Sequence, residues 1–273
     1  MTVARMQPDA ALPAAVRDVL ARLAPVGRAW LVGGTVRDLL LGVAPRDFDV
    51  ATDLRPDVVQ RLIPGVDLRD ARFGTAALPG GDVPITITTL RREAGYDDQR
   101  HPTHVEFVDS VDADARRRDF TVNALYLSVA DGKVIDPVGE LGDLEARVLR
   151  TIGDPATRFA EDPLRLLRAV RFAARCELMP AAATAAAARH GAAGLTTLAA
   201  ERVFAELTGA FTGAGRGRAL RLLVELGLAA VVLPEVAAMD GVTQPPEYHP
   251  EGDVLTHVAL VLDHVPAGDP VLS

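Results

Sequence analysis

Cysteine is almost absent from this chain. Its single copy, Cys176, excludes an internal disulfide and a cysteine-rich zinc site, and suits a reducing cytoplasm where a lone thiol serves as a small buried apolar residue. Aromatic residues are also scarce, at 4%. Long apolar runs are missing. The longest, near Leu226–Leu233, is far too short for a bilayer span. The N-terminus lacks the cationic-then-apolar order of a secretory signal, so a cytoplasmic protein with no membrane partner is expected. Positive charge is in deficit, with a formal net charge of −8, which argues against a surface coated in basic charge for nucleic acid. The arginines nevertheless cluster, at Arg116–Arg118 and at Arg165, Arg168, Arg171 and Arg175, and a local basic site is expected there.

What is present is 273 residues, 49% of them apolar, enough for one large domain or two smaller ones. Alanine is abundant and favours helix. Leu12, Val16, Val19, Leu20 and Leu23 recur at helical spacing, predicting an amphipathic helix over 10–24. Ala29–Val32 reads as a strand, turned by Gly33-Gly34 into a helix that Gly42 ends. Phe48–Ala51 is a strand, and "VPITITTL" (Val83–Leu90) alternates as a half-exposed strand does. Phe120–Val129 and Val134–Ile135, joined by "ADGK", predict a hairpin. From Leu144 onward the pattern becomes helical, through "EDPLRLLRAVRFAARCEL", the alanine run 181–193, "LAAERVFAELTGAF" and "RALRLLVELGLAAVVL". The expected fold class is α+β, a mixed α/β half followed by an all-helical half, with the boundary near 140–150. An apolar helix from about Val254 has no evident packing partner, and the chain is expected to stop short of a further element.

The stretch "GGTVRDLLLGVAPRDFDVAT" (Gly33–Thr52) carries the first chemistry. Residues i and i+2 of a strand share a face, so Asp47 and Asp49 should project together while Phe48 and Val50 enter the core. Paired carboxylates repel unless a cation sits between them. Mg²⁺ suits hard oxygen ligands and is commonly held by one or two carboxylates plus substrate phosphates. A bare D-x-D is more often turn chemistry. Here it stands close to a glycine turn, where backbone N–H groups can approach a phosphate, and to Arg37, one helical turn in. Together they predict a site for Mg²⁺ and a nucleoside triphosphate.

A second cluster, "RRRDFTVNALYL", places Arg117, Arg118 and Asp119 at a strand entrance, where arginine can bind phosphate or ribose oxygens and Asp119 can orient it or accept from a 2′-hydroxyl. A third carries Asp162, Arg165, Arg168 and Arg171 at steps of three along a helix. Spacing alone favours an amphipathic helix with i,i+3 ion pairs. The functional alternative has Asp162 and Arg165 reading a base while Arg168 and Arg171 hold phosphates.

"LVGGTVRDLLLGVAPRDFDVATD", "RRDFTVNAL" and "RFAEDPLRLLRAVRFAAR" resemble, in order, blocks of the class II tRNA nucleotidyltransferases, the CCA-adding enzymes. These belong to the polymerase β superfamily with bacterial poly(A) polymerases. "TTLRREAGYDDQRHPTHVEFVDS" is similar to their connecting segment. The resemblance implies a nucleotidyltransferase head with a polymerase β-like sheet over 1–145, a helical neck with the base site over 146–210, and a helical body over 211–273 that stops before an HD-type domain or tail. It implies that Asp47 and Asp49 hold the catalytic Mg²⁺ ions and that Gly33, Gly34 and Arg37 hold the triphosphate. Arg118 and Asp119 fall in the ribose motif, Asp162 and Arg165 match the pair that selects C or A, and Arg168 and Arg171 match further nucleotide contacts. The implied partners are the tRNA 3′ end, CTP and ATP. Thr86 stands where relatives often carry an acidic or amide residue, so no third carboxylate is assigned. His257 matches the first metal histidine of an HD-type domain but lacks the His-Asp pair after it, and is expected to be a helix-face histidine. A poly(A) polymerase is the alternative within the superfamily. It is disfavoured because no "GRRFR"-like element follows the first aspartates, and because the net charge is negative. A silent RNA-binding module is disfavoured by the intact aspartates.

Overall fold

The computed structural model describes residues 6, 12–79, 83–95, 103–139 and 141–265. The chain divides into two compact units that adjoin in sequence at Leu144 and Glu145.

The first unit opens with α1 (Ala14–Leu23), where Pro13 takes the N-cap position and Val16, Val19, Leu20 and Leu23 are buried. It continues through β1 (Ala29–Val32), α2 (Gly34–Leu40), β2 (Phe48–Thr52), α3 (Pro56–Leu62), β3 (Thr75–Leu78) and β4 (Ile85–Thr89). Then follow β5 (Arg91–Ala94), β6 (His104–Phe107), α4 (Val111–Arg116), β7 (Tyr126–Leu127), β8 (Val134–Ile135) and α5 (Leu141–Glu145). The main sheet has strand order β3-β4-β2-β1-β7-β8. Only β2 and β4 run parallel, with Asp49 opposite Thr86. β2 is interior to the sheet, so Phe48, Val50 and Ala51 are fully buried on it. β4 alternates as its pattern predicts, with Ile85, Ile87 and Thr89 buried and the threonines between them half-buried. β5 and β6 form a separate antiparallel ribbon.

The predicted strand Phe120–Val129 is much shorter in the structure. Residues Thr121–Asn123 form a 3₁₀ turn and only Tyr126–Leu127 pair with Val134–Ile135. The reason is local side-chain bonding. Asp119 Oδ1 accepts from the Phe120 N–H and from Asn123 Nδ2, and the Thr121 hydroxyl donates to Asp143. Such bonds offer the backbone an alternative to a strand ladder.

The second unit comprises β9 (Val148–Leu149), α6 (Pro155–Glu161), α7 (Leu164–Arg175), β10 (Met179–Pro180), α8 (Ala182–Gly191), α9 (Ala200–Phe211), α10 (Arg216–Glu225), α11 (Ala229–Val232), α12 (Pro234–Ala237) and α13 (Val254–His264). α7 buries Leu166, Leu167, Ala169, Val170, Ala173 and Ala174 and packs against α9 and α10. The stretch read as one helix, 218–233, is broken at Gly227, whose φ of +70° ends α10. α13 does have a partner. Leu255 and Ala259 join Leu220 in a cluster completed by Phe211, Val224, Val236 and Met239. Gly217 permits the approach, since a Cβ there would collide with the Ala259 carbonyl oxygen, and its N–H donates to Asp263 at 2.9 Å.

Candidate functional site

β1 delivers the chain into Gly33, whose φ of +68° and ψ of −133° suit glycine alone without strain. A Cβ built there would lie 3.4 Å from Arg118 Nη1 and 3.5 Å from Asp49 Oδ2. The absent side chain thus leaves a notch bordered by a guanidinium and a carboxylate. Asp49 is half-buried on β2, and Asp47 lies one residue before that strand and is exposed. The buried Thr35 ties both to the turn. Its hydroxyl donates to the Asp47 carbonyl at 3.3 Å and accepts from the Asp49 N–H at 2.8 Å. Sequence reasoning passed over Thr35. Its signal was a hydroxyl residue directly after the glycine pair, placed to reach the neighbouring strand.

Two networks hold this notch. Arg37 is 1% exposed and lies beneath the turn, its Nη2 being 3.5 Å from where a Gly34 Cβ would sit. Its Nε and Nη2 donate to Asp38 Oδ1 at 2.9 and 2.6 Å, and Nη1 donates to Asn123 Oδ1 at 2.6 Å. Asn123 in turn donates to Asp119 at 3.1 Å. In this arrangement Arg37 props the turn from below, where the sequence pattern had it reaching an anion, and Asp119 joins it through Asn123, which the sequence reading did not single out.

The second network orients Arg118. Its Nε donates to Asp114 Oδ2 at 3.2 Å and to the Tyr126 hydroxyl at 3.1 Å, and Nη2 donates to Asp114 at 3.0 Å. The Tyr126 hydroxyl donates to the same carboxylate. Burial pushes the Asp114 carboxyl up, but Arg118 and Arg117 outweigh it and hold its pKa well below the usual carboxylate range. Burial likewise raises the Tyr126 phenol, which therefore stays a donor.

In the second unit the arginine pattern resolves into three pairings. Asp162 and Arg165 are joined by a backbone bond, Arg165 N–H to Asp162 C=O at 3.0 Å. The Asp162 carboxylate accepts from the Leu164 N–H at 3.1 Å and from Arg202 Nη2 at 3.2 Å. Arg165 Nη1 donates to Glu161 at 2.6 Å and to the Arg158 carbonyl at 2.9 Å. Arg168 and Arg171 share Glu206, at 3.7 and 2.7 Å, and both guanidinium groups lie over Phe172. The i,i+3 pairing favoured by spacing gives way to i,i+4 pairing with Glu161 and to pairing across helices. Arg202 and Glu206, on α9, carried no local signal.

The donor set around the notch fits a hard divalent cation. The carboxylate oxygen placed there is Asp49 Oδ2, at the rim of a space that a side chain at residue 33 would fill, a hard oxygen donor of the kind such a cation takes. In the structure Thr86 lies opposite Asp49 on β4 and supplies no carboxylate.

A mixed sheet with a glycine turn beside Asp49 on β2 and Asp47 just before it, followed by an arginine-rich helical unit, defines the chain as an α+β nucleotidyltransferase-type head with a helical extension. The sequence matches the "Poly A polymerase head domain" over residues 29–150 and the "Probable RNA and SrmB-binding site of polymerase A" over 180–240. It is 40% identical to a CCA-adding enzyme of Geobacillus sp. (strain WCH70), over 73% of this chain and 49% of that one. It is 35% identical to that of Latilactobacillus sakei, over 88% and 61%, and 47% identical to an Escherichia coli poly(A) polymerase I, over 58% and 36%. The structure superposes on the Bacillus stearothermophilus CCA-adding enzyme in complex with CTP with a TM-score of 0.72 at 32% identity, covering 84% of this chain and 56% of that one. The chain belongs to the class II family of CCA-adding enzymes and bacterial poly(A) polymerases, and spans about half the length of the curated relatives it matches.

Proposed function

We propose that the chain is a cytoplasmic, template-independent tRNA nucleotidyltransferase that adds C, A or both to a tRNA 3′ end from CTP and ATP. The observation that carries this reading is the notch at Gly33, with Asp49 Oδ2 and Arg118 Nη1 both beside the space that glycine leaves open.

In this reading the triphosphate lies against the Gly33–Gly34 backbone, and Asp47 and Asp49 hold Mg²⁺. When bound, the metal supplies charge stabilisation for in-line displacement. The RNA 3′-hydroxyl oxygen forms the new bond to the α-phosphorus, its proton is lost, and pyrophosphate leaves with the electrons of the broken P–O bond. Arg118, held by Asp114 and Tyr126, presents fixed positive charge to phosphate or ribose oxygens without having to reorganise. Asp119, through Asn123, and Arg37 keep the turn in place.

Base choice follows from donor and acceptor chemistry. Cytosine and adenine each present an exocyclic amino donor beside a ring-nitrogen acceptor. Asp162 accepts and Arg165 donates, the complementary pattern. Uracil and guanine present a carbonyl beside an N–H and would leave both side chains unpaired, a mismatch worth on the order of 10⁴-fold in discrimination where the site is enclosed. Arg168 and Arg171, aligned by Glu206, lie on the same helix for phosphate contact.

A poly(A) polymerase of the same family is the second reading, favoured by the 47% identity to the Escherichia coli enzyme. The test incubates the chain with Mg²⁺ and a tRNA ending at its discriminator base, with CTP alone, ATP alone and both, and resolves products at single nucleotides. Two additions with CTP and a third with ATP establish CCA addition. Stopping after two, or A addition only to a CC end, indicates a split activity, and a long A ladder indicates the polymerase. Direct CTP binding with and without Mg²⁺ is measured alongside. Absence of metal-dependent binding would remove the proposed site itself.

A further inference from the structure

Thr35 is buried in the first turn of α2, and its hydroxyl bonds to residues 12 and 14 positions further along the chain. A threonine hydroxyl near a helix start ordinarily bonds the backbone of its own helix. This one accepts from the Asp49 N–H at 2.8 Å and donates to the Asp47 carbonyl at 3.3 Å. A single oxygen closes both bonds, which takes a group that is donor and acceptor at once.

The sheet explains why these bonds are needed. β1 and β2 pair from Ala29 opposite Thr52 to Leu31 opposite Val50, and the register stops there. Successive N–H groups along a strand point to opposite neighbours. That of Phe48 donates to the Pro84 carbonyl, on the β4 side, so that of Asp49 faces the β1 side. There β1 has already turned away at Gly33, whose N–H bonds the Leu125 carbonyl. The Thr35 oxygen stands where a ladder carbonyl would otherwise be. Asp47 lies before β2 and outside the ladder, and its carbonyl is fastened by the same oxygen.

We propose that Thr35 is a positioning residue for nucleotidyl transfer, its hydroxyl fixing the Asp47–Asp49 segment against the Gly33–Gly34 turn. It thereby sets the spacing between the two carboxylates and the backbone that faces the triphosphate, and this role rests on the reading of that site given above. The size of the effect follows from one contact. A valine at 35 has the shape of threonine, but its methyl group neither accepts nor donates. The 2.8 Å approach of the Asp49 nitrogen would open to about 3.5 Å, ordinary van der Waals contact, a displacement of ~0.7 Å. A misplacement of about 1 Å costs about 10²-fold in rate, so this segment has little room to move. Serine keeps the oxygen and loses only the methyl, so it should keep both bonds while leaving a methyl-sized void.

The test compares the full-length parent chain with Thr35→Val and Thr35→Ser. Direct CTP binding is measured across a Mg²⁺ titration and without Mg²⁺, beside Tm, the rate of CTP transfer and amide exchange at Asp49. In Thr35→Val the Mg²⁺ needed for half-maximal enhancement of CTP binding should rise at least ~10-fold, and the transfer rate should fall ~10–100-fold. CTP binding without Mg²⁺ should stay at the parental level, because Arg118 and the turn are untouched. The Asp49 N–H should exchange faster in the metal-free, nucleotide-free protein, because its acceptor is gone. Thr35→Ser should restore the Mg²⁺ dependence, the rate and the exchange protection even though its Tm falls. A residue that only fills space gives the reverse order, valine active and serine impaired, and that order would overturn the proposal. Parental Mg²⁺ dependence in Thr35→Val would overturn it too. Unchanged Asp49 exchange in Thr35→Val would do so whatever the site binds. A parent whose CTP binding is indifferent to Mg²⁺ would remove the site itself, and this role with it.

Discussion

Replacing Gly33 and Gly34 one at a time with alanine should produce opposite effects on stability from neighbouring positions. Gly33 has φ +68° and ψ −133°. An alanine there carries a strain of about 1–3 kcal/mol. The added methyl does not clash, since its nearest neighbours are at 3.4 and 3.5 Å, so the cost is that of the backbone alone. For a chain of this size each kcal/mol moves Tm by about 2–4 °C, which places the Gly33→Ala loss at roughly 2–12 °C. Gly34 is already helical, and a Cβ there meets only Arg37, at 3.5 Å. Alanine at that position should hold or raise stability, by up to about 1 kcal/mol. The Gly33 methyl enters the notch proposed for the triphosphate, so Gly33→Ala should bind CTP at least ~10-fold more weakly, about 1.4 kcal/mol, whereas the Gly34 methyl points toward buried Arg37 and should leave CTP binding unchanged. Thermal unfolding and CTP titration of the two variants give four numbers. An unstrained Gly33→Ala would refute the backbone argument. A Gly33→Ala variant that binds CTP normally would refute the placement of the phosphate.

Asp49→Asn preserves shape and removes one carboxylate charge; steady-state transfer assays should show a loss of ~10³-fold or more with Tm unchanged. Asp114→Asn should destabilise by about 3–5 kcal/mol in urea unfolding, because it leaves Arg117 and Arg118 facing an uncharged buried partner. The sign with pH is fixed by the depressed carboxyl. Its stabilisation is present above the unfolded value of 3.8 and disappears as pH falls through the lower folded value, so the gap between parent and variant should close below pH 3.8. Arg202→Ala removes the partner of Asp162 and should blur C and A choice over U and G in misincorporation assays by about 10-fold, with little change in Tm because the pair is partly exposed. Asp162→Ala with Arg165→Ala should abolish that choice; unchanged selectivity would remove the base-reading role.

Much of the architecture was legible in local pattern. Period-two alternation marked β4, helical spacing marked α1 and α7, and the change near Leu144 separated the sheet-bearing unit from the helical one. These signals are local because burial repeats within a single element. The aspartates, the glycine turn and the three arginine-bearing blocks were legible for the same reason, since each lies within one short stretch. Pattern failed where side-chain bonds competed with the ladder, as at Thr121–Asn123, and where one positive-φ glycine split a continuous apolar run, as at Gly227.

The sequence by itself determined most of the elements, outside Phe120–Val129 and the break at Gly227, and which residues carry charge or donors. Tertiary structure decided what those groups face. Arg37 meets Asn123 across 86 residues, Asp162 meets Arg202 across 40, and Arg171 meets Glu206 across 35. Thr35 bridges from α2 to the aspartates, and α13 finds α10 through the bare backbone of Gly217. His257 gained Glu251 as a partner only when the preceding loop was fastened to its helix. A charge in sequence has no direction. Its partner is set by which helices and strands pack side by side, because a buried guanidinium or carboxylate is stable only where packing brings a counter-charge within a few ångströms.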